Sequence, residues 1–109
     1  MNRPDIPHEE TIIELMREDP AFAEELLAVV LEEVDEPGGR EALLTALRCF
    51  AEAKGMSAIA QETGLSRESL YRALSTRGNP TLKTLLAVLK ATGLKLGIER
   101  NHQTANITA

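Results

Sequence analysis

Arg67, Glu68, Tyr71 and Arg72 stand close enough in sequence to share one surface if the backbone there is helical. At about 100° per residue, from a pitch of roughly 3.6 residues per turn, they fall with Ser75 inside an arc of about 140°, and Ser66, Ser69, Leu70, Ala73 and Leu74 take the opposite arc. One face is then apolar or small, and the other carries donors and acceptors. Each arginine can satisfy both acceptors of a guanine edge or grip a phosphate. Glu68 can accept from the cytosine amine, and Tyr71 can reach base or backbone. That chemistry suits a helix lying in the major groove of double-stranded DNA. The bland alternative is a solvated helix on which Glu68 and Arg72 form an ordinary i,i+4 pair worth a few tenths of a kcal/mol.

What positions such a helix is the stretch Met56–Leu74, MSAIAQETGLSRESLYRAL, which reads as two short helices and a sharp corner. Ala60 is small enough to let a second helix cross the first closely. Gly64 can turn the chain in the left-handed conformation just past a helix end. Ser66 is placed to cap the next helix by accepting from a free N–H two or three residues on. Ile59, Leu65 and Leu70 fill the angle, so a helix-turn-helix is expected. Next comes a polar loop, STRGNP over 75–80, then a helix opened by Pro80 and Thr81, capped by Asn79 or Thr81, with Leu82, Leu85, Leu86 and Leu89 as its core stripe and Thr92-Gly93 as its stop. Arg77, Asn79 and the amides of that helix start are candidate phosphate contacts, against the plain alternative of a surface loop.

A net charge of −5 suits a DNA reader poorly until the chain is divided at Gly55. Residues 1–54 hold 14 acidic and 5 basic residues, net −9, and residues 55–109 hold 3 acidic and 7 basic, net +4. The basic part is drawn to phosphate; the acidic part is repelled by it and suits a basic protein.

In the acidic part, a short helix is expected over His8–Arg17 after a frayed start. Asp19 and Pro20 then open a helix running to about Val34, with Asp19 as cap and the proline at the first position. Its centre, LLAVVL over 26–31, is apolar all round, with Glu24, Glu25, Glu32 and Glu33 flanking it. Such a helix is either the heart of the core or half core and half partner interface. Asp35–Gly39, DEPGG, is a break, and a helix from Arg40 to Lys54 leads into the bihelical unit, with Gly55 ending it.

At the other end, Leu94-Lys95-Leu96-Gly97-Ile98-Glu99 alternates apolar and polar as a strand does. A lone strand leaves backbone groups unpaired, so it must pair with another chain, pair with the polar N-terminal segment or not form at all; of these, pairing of Leu94, Leu96 and Ile98 with a second copy across a two-fold axis is expected, making a homodimer. The division expected is an acidic helical region over 1–54, a DNA-binding region with the dimerisation strand over 55–99, and a flexible tail over 100–109, all in one compact domain. The fold class expected is all-α, a helix-turn-helix bundle with acidic N-terminal helices plus one short C-terminal strand.

Composition excludes several classes. With 43% apolar and 27% charged residues the chain is an ordinary globular one, and with only 3% aromatics its core is leucine- and alanine-rich. The single cysteine, Cys49, lies in an apolar helical pattern and reads as buried; it rules out an internal disulfide and the usual zinc spacings. His8 beside Glu9 and Glu10 is a weak metal pattern, and no metal or cofactor is expected. No secretory signal is visible and no apolar run approaches the roughly 20 residues needed to span a bilayer, so a cytoplasmic protein without membrane contact is expected. No nucleophile–base constellation, phosphate-binding glycine loop or paired carboxylates suggest an enzyme.

With these residues in place, the chain resembles the probable addiction-module antidote proteins with a phage-repressor-like, Xre-type helix-turn-helix. The similarity spans roughly residues 18–99 and is strongest in GMSAIAQETGLSRESLYRALSTRGNPTLKTLLAVLKATGLKLGIE; the leader EDPAFAEELLAVVLEE resembles the family's upstream helices. The resemblance implies an antitoxin that neutralises a small basic RelE/HigB-like toxin and represses their shared promoter by binding operator DNA. By position it carries the base-reading sites onto Arg67, Glu68, Tyr71 and Arg72, with Ser57 and Ser66 near phosphates. Glu68 stands where phage repressors commonly have glutamine, so their operator sequences do not transfer. The toxin-facing candidates are Phe22, Leu26, Leu27 and Val30 with Glu24, Glu25, Glu32 and Glu33. The alternatives are a stand-alone transcription regulator without a toxin, and a protein-interaction module that reads no DNA.

Overall fold

The computed structural model describes residues 5–100. Among them are six helices: α1 (Asp5–Glu18), α2 (Pro20–Glu32), α3 (Gly39–Lys54), α4 (Met56–Thr63), α5 (Arg67–Ala73) and α6 (Leu82–Ala91). The all-α expectation holds, and no helix of the described residues is long and apolar enough to cross a membrane.

The helix starts follow the local chemistry. Asp19 is extended (φ −137°, ψ 91°), and its Oδ1 accepts from the amides of Ala21 at 3.1 Å and Phe22 at 3.4 Å. Two of the donors orphaned at the start of α2 are thereby satisfied, and Pro20 has none to lose. Ser66 and Thr81 repeat the device, accepting from the amides of Ser69 at 3.0 Å and Thr84 at 3.1 Å. At the corner, Gly64 takes φ 77° and its N–H closes onto the carbonyl of Ala60 at 2.9 Å. Any residue with a Cβ would be strained there.

Packing divides the chain into two sets of helices that share a seam. α1, α2 and α3 pack on one another, α4 packs on α5 and α6, and α3 meets α4 across Gly55. The apolar cluster is nevertheless continuous, from Met16, Ala23 and Leu27 through Leu47 and Phe50 to Ile59, Leu70, Leu74 and Val88. Ile59, Leu70, Leu74 and Val88 are shut off from solvent almost entirely. Burial of each such side chain contributes about 1.5–3 kcal/mol, and truncating Leu70 to alanine is expected to cost about 2–5 kcal/mol.

The C-terminal strand does not form within the single chain. Residues 94–100 carry no regular structure. What intervenes is a Schellman end to α6: the Gly93 N–H bonds the Lys90 carbonyl at 3.0 Å, and the Leu94 N–H bonds the Leu89 carbonyl at 2.7 Å, with Gly93 at φ 87°. This turn draws Leu94 back against the core, while Leu96 is 52% exposed and Ile98 fully so. The alternating pattern supplied side-chain periodicity; it could not supply the second edge that a strand needs. The expected tail lies outside the described residues apart from Arg100.

Candidate nucleic-acid and partner interfaces

The α5 face places Arg67, Glu68 and Arg72 in solvent, with exposed Ser57 on α4 and exposed Arg77 in the loop beyond. Among the described residues no hydrogen bond or ion pair engages the side chains of Arg67, Arg72 or Arg77, and the Glu68–Arg72 pair that a merely solvated helix offers is not made. Tyr71 is half-buried, packed against the core cluster, and with Arg67, Ser57, Glu52 and Met56 it lines a shallow polar recess of about 250 Å³ where α3 passes into α4. Ser66 is exposed, but its hydroxyl is engaged in capping α5 and also lies 3.0 Å from the Ser69 hydroxyl. Asn79 is engaged too: its Oδ1 accepts from Arg40 Nη2 at 3.1 Å.

Arg40 and Arg48 are the functional surprises. Arg40 Nη2 also donates to the Gly78 carbonyl at 2.9 Å, so the first turn of α3 holds the loop that carries Arg77 and Asn79. Arg48 Nη1 donates to the Leu74 carbonyl at the end of α5 (3.2 Å), while Nη2 reaches both oxygens of Glu9 on α1 at 2.9 Å. Such a contact satisfies an orphan carbonyl and places positive charge at the negative end of the helix. The only sign of this in the sequence is two isolated bases in an acidic stretch; their partners lie 26 to 39 residues away.

On the acidic side, α2 separates its candidates by face. Leu27 is buried in the core and Phe22 is half-buried against it. Leu26 and Val30 line a groove of about 350 Å³ between α1, α2 and α3, whose floor includes Ile12, Ala46 and Cys49. Ala28 and Leu31, absent from the sequence-derived set, line a second groove of about 420 Å³ between α2, α3, α6 and the 94–97 segment. Glu24, Glu25, Glu32 and Glu33 are exposed. Leu94 and Leu96 line the second groove, and Ile98 projects beyond it. Burial pushes the Cys49 thiol from its ordinary 9.0 to about 11, reinforced by the charge of Glu9 and opposed by Arg48. It is a protonated core thiol near neutral pH, ill-suited to nucleophilic chemistry.

A family model described as "Probable addiction module antidote protein" matches residues 9–100. The chain belongs to that family. The family description is that of the antidote half of an addiction module, a toxin–antitoxin pair, so a toxin of some kind is the implied partner. The matched span takes in α2 to α6 whole and the α1 side chains Ile12, Ile13 and Met16 that contribute to the core, so acidic and basic parts alike are family structure. A Haemophilus influenzae protein described only as uncharacterized is 40% identical over 80 residues, 73% of this chain and 82% of that protein. No solved structure matches.

Proposed function

We propose that the protein is the antitoxin of a type II module, neutralising a small basic RelE/HigB-like toxin through its acidic helices and repressing its own operon through α4 and α5 acting as a helix-turn-helix. The observation that carries the DNA half is the face of α5: a helix fixed by its own serine cap and buried Leu70 presents two arginines with no partner among the described residues. Unengaged guanidinium groups are what base edges and phosphates require. Arg77 extends that positive surface along the loop. Two copies, joined near Leu94, Leu96 and Ile98, would present two reading helices to paired half-sites. The half-exposed Leu96 and fully exposed Ile98 support this, because exposed apolar side chains gain from a partner.

Retardation of a duplex taken from upstream of the protein's own gene tests the DNA reading. Binding is expected to be specific against scrambled duplex and to weaken steeply between 50 and 200 mM salt, as about 0.9 counterions leave per phosphate contacted. Equal affinity for both duplexes would refute operator recognition. Sedimentation at micromolar concentration is expected to show a dimer.

A further inference from the structure

The groove between α1, α2 and α3 differs from the other apolar groove in one respect that bears on its occupant. Its lining is mainly apolar, with Ile12, Leu26 and Val30 facing Ala42 and Ala46, one turn apart on α3, whose small side chains leave it open. The charged side chains lining it are Glu9 and Glu41, with His8 at one end; among the described residues no lysine or arginine lines it. Arg48, beneath, is turned onto Glu9 and the Leu74 carbonyl, which leaves Glu41 exposed and without an ion pair among the described residues. The Thr45 hydroxyl, also on the wall, has no partner among the described residues. The second groove mixes Glu24 with Lys95.

We infer that this first groove receives an apolar side chain from a basic partner protein, with a lysine or arginine beside it meeting Glu41. The inference rests on the antitoxin reading and names the seat within it. The volume of about 350 Å³ accommodates one or two large apolar side chains, the anchor-in-pocket arrangement that dominates interface energetics. Charge selects among occupants. Nucleic acid is repelled by the carboxylates. A second copy of this chain would set one acidic rim and one −9 region against another. A basic surface gains on both counts.

The probe is the purified protein encoded by the reading frame adjacent to this chain's gene, titrated calorimetrically into the full-length chain. Ala42→Trp fills the groove from an exposed position, Glu41→Lys reverses its rim, and Leu31→Lys alters the second groove as a control. Far-UV circular dichroism and retained DNA binding establish that each variant is folded. Ala42→Trp is expected to weaken the complex by at least about thirtyfold, Glu41→Lys by about tenfold and Leu31→Lys by less than about twofold. Should Ala42→Trp fail to fold, the Glu41→Lys result decides. Wild-type binding undiminished by the groove variants would overturn the groove as the seat and leave the antitoxin reading standing. No binding by the wild type would overturn both.

Discussion

The arginines of the two halves have opposite fates. In the acidic half, Arg17 bonds Glu14 and reaches the Glu52 carbonyl, Arg40 holds the 78–79 backbone and side chain, and Arg48 bridges Glu9 and Leu74. In the basic half, Arg67, Arg72 and Arg77 engage nothing within the described chain. Formal charge therefore understates the separation between the halves. Arg17, Arg40 and Arg48 of the acidic half are engaged in structure, and most of its described carboxylates have no ion-pair partner among the described residues; Arg67, Arg72 and Arg77 of the basic half remain available. The same residue type is a fastener in one region and unengaged in the other, decided by what lies within its reach.

Substitution can break this contrast, starting with the largest effect. Removing both Arg67 and Arg72 as alanines is expected to weaken operator binding by about 2–6 kcal/mol, at about 1–3 for each, while the urea midpoint moves by less than about 0.5 kcal/mol equivalent. A double variant that binds its operator normally would remove α5 as the reader. Arg48→Ala should do the reverse. It strands the Leu74 carbonyl and the Glu9 carboxylate, and an expected loss of about 1–3 kcal/mol in chemical denaturation would mark it as a fastener.

Arg40→Ala sits between these poles, with about 0.5–1.5 kcal/mol of stability lost and a further weakening of DNA binding as the Arg77 loop loosens. Its stability effect should exceed that of Arg17→Ala, whose pair with Glu14 is exposed on both sides and contributes under about 1 kcal/mol.

The last effect is confined to alkaline pH. The thiol of Cys49 is held above its unfolded value, so the folded state keeps a proton that the unfolded chain releases. The stability this contributes is complete below pH 9.0 and is lost as pH climbs towards about 11. Denaturation midpoints across that interval should fall less steeply for Cys49→Ala than for wild type. Equal slopes would show that the thiol does not titrate differently on folding.

Features built from neighbours in sequence were legible without the fold. Asp19 and Ser66 cap where their residue types and positions indicate, and Gly64 turns the corner, because each needs only a backbone group within about three residues. The outward placement of Arg67, Glu68 and Arg72 followed from helical periodicity in the same way. Tyr71 shows where periodicity stops. It lies on the polar arc, yet the neighbouring α3–α4 corner half-covers it. The 94–99 segment shows the converse: its alternation was real, but α6 ended in a turn that pulled Leu94 inward and the described residues offer no partner edge.

By itself, then, the sequence determined the helical class, the caps, the corner at Gly64 and the division of charge at Gly55, since all of these are set by residue type and short-range geometry. Only the tertiary structure decided which faces of α2 are core and which line grooves, and where Arg40 and Arg48 find their partners. Those outcomes depend on contacts between residues dozens of positions apart, which packing brings together and no local pattern encodes.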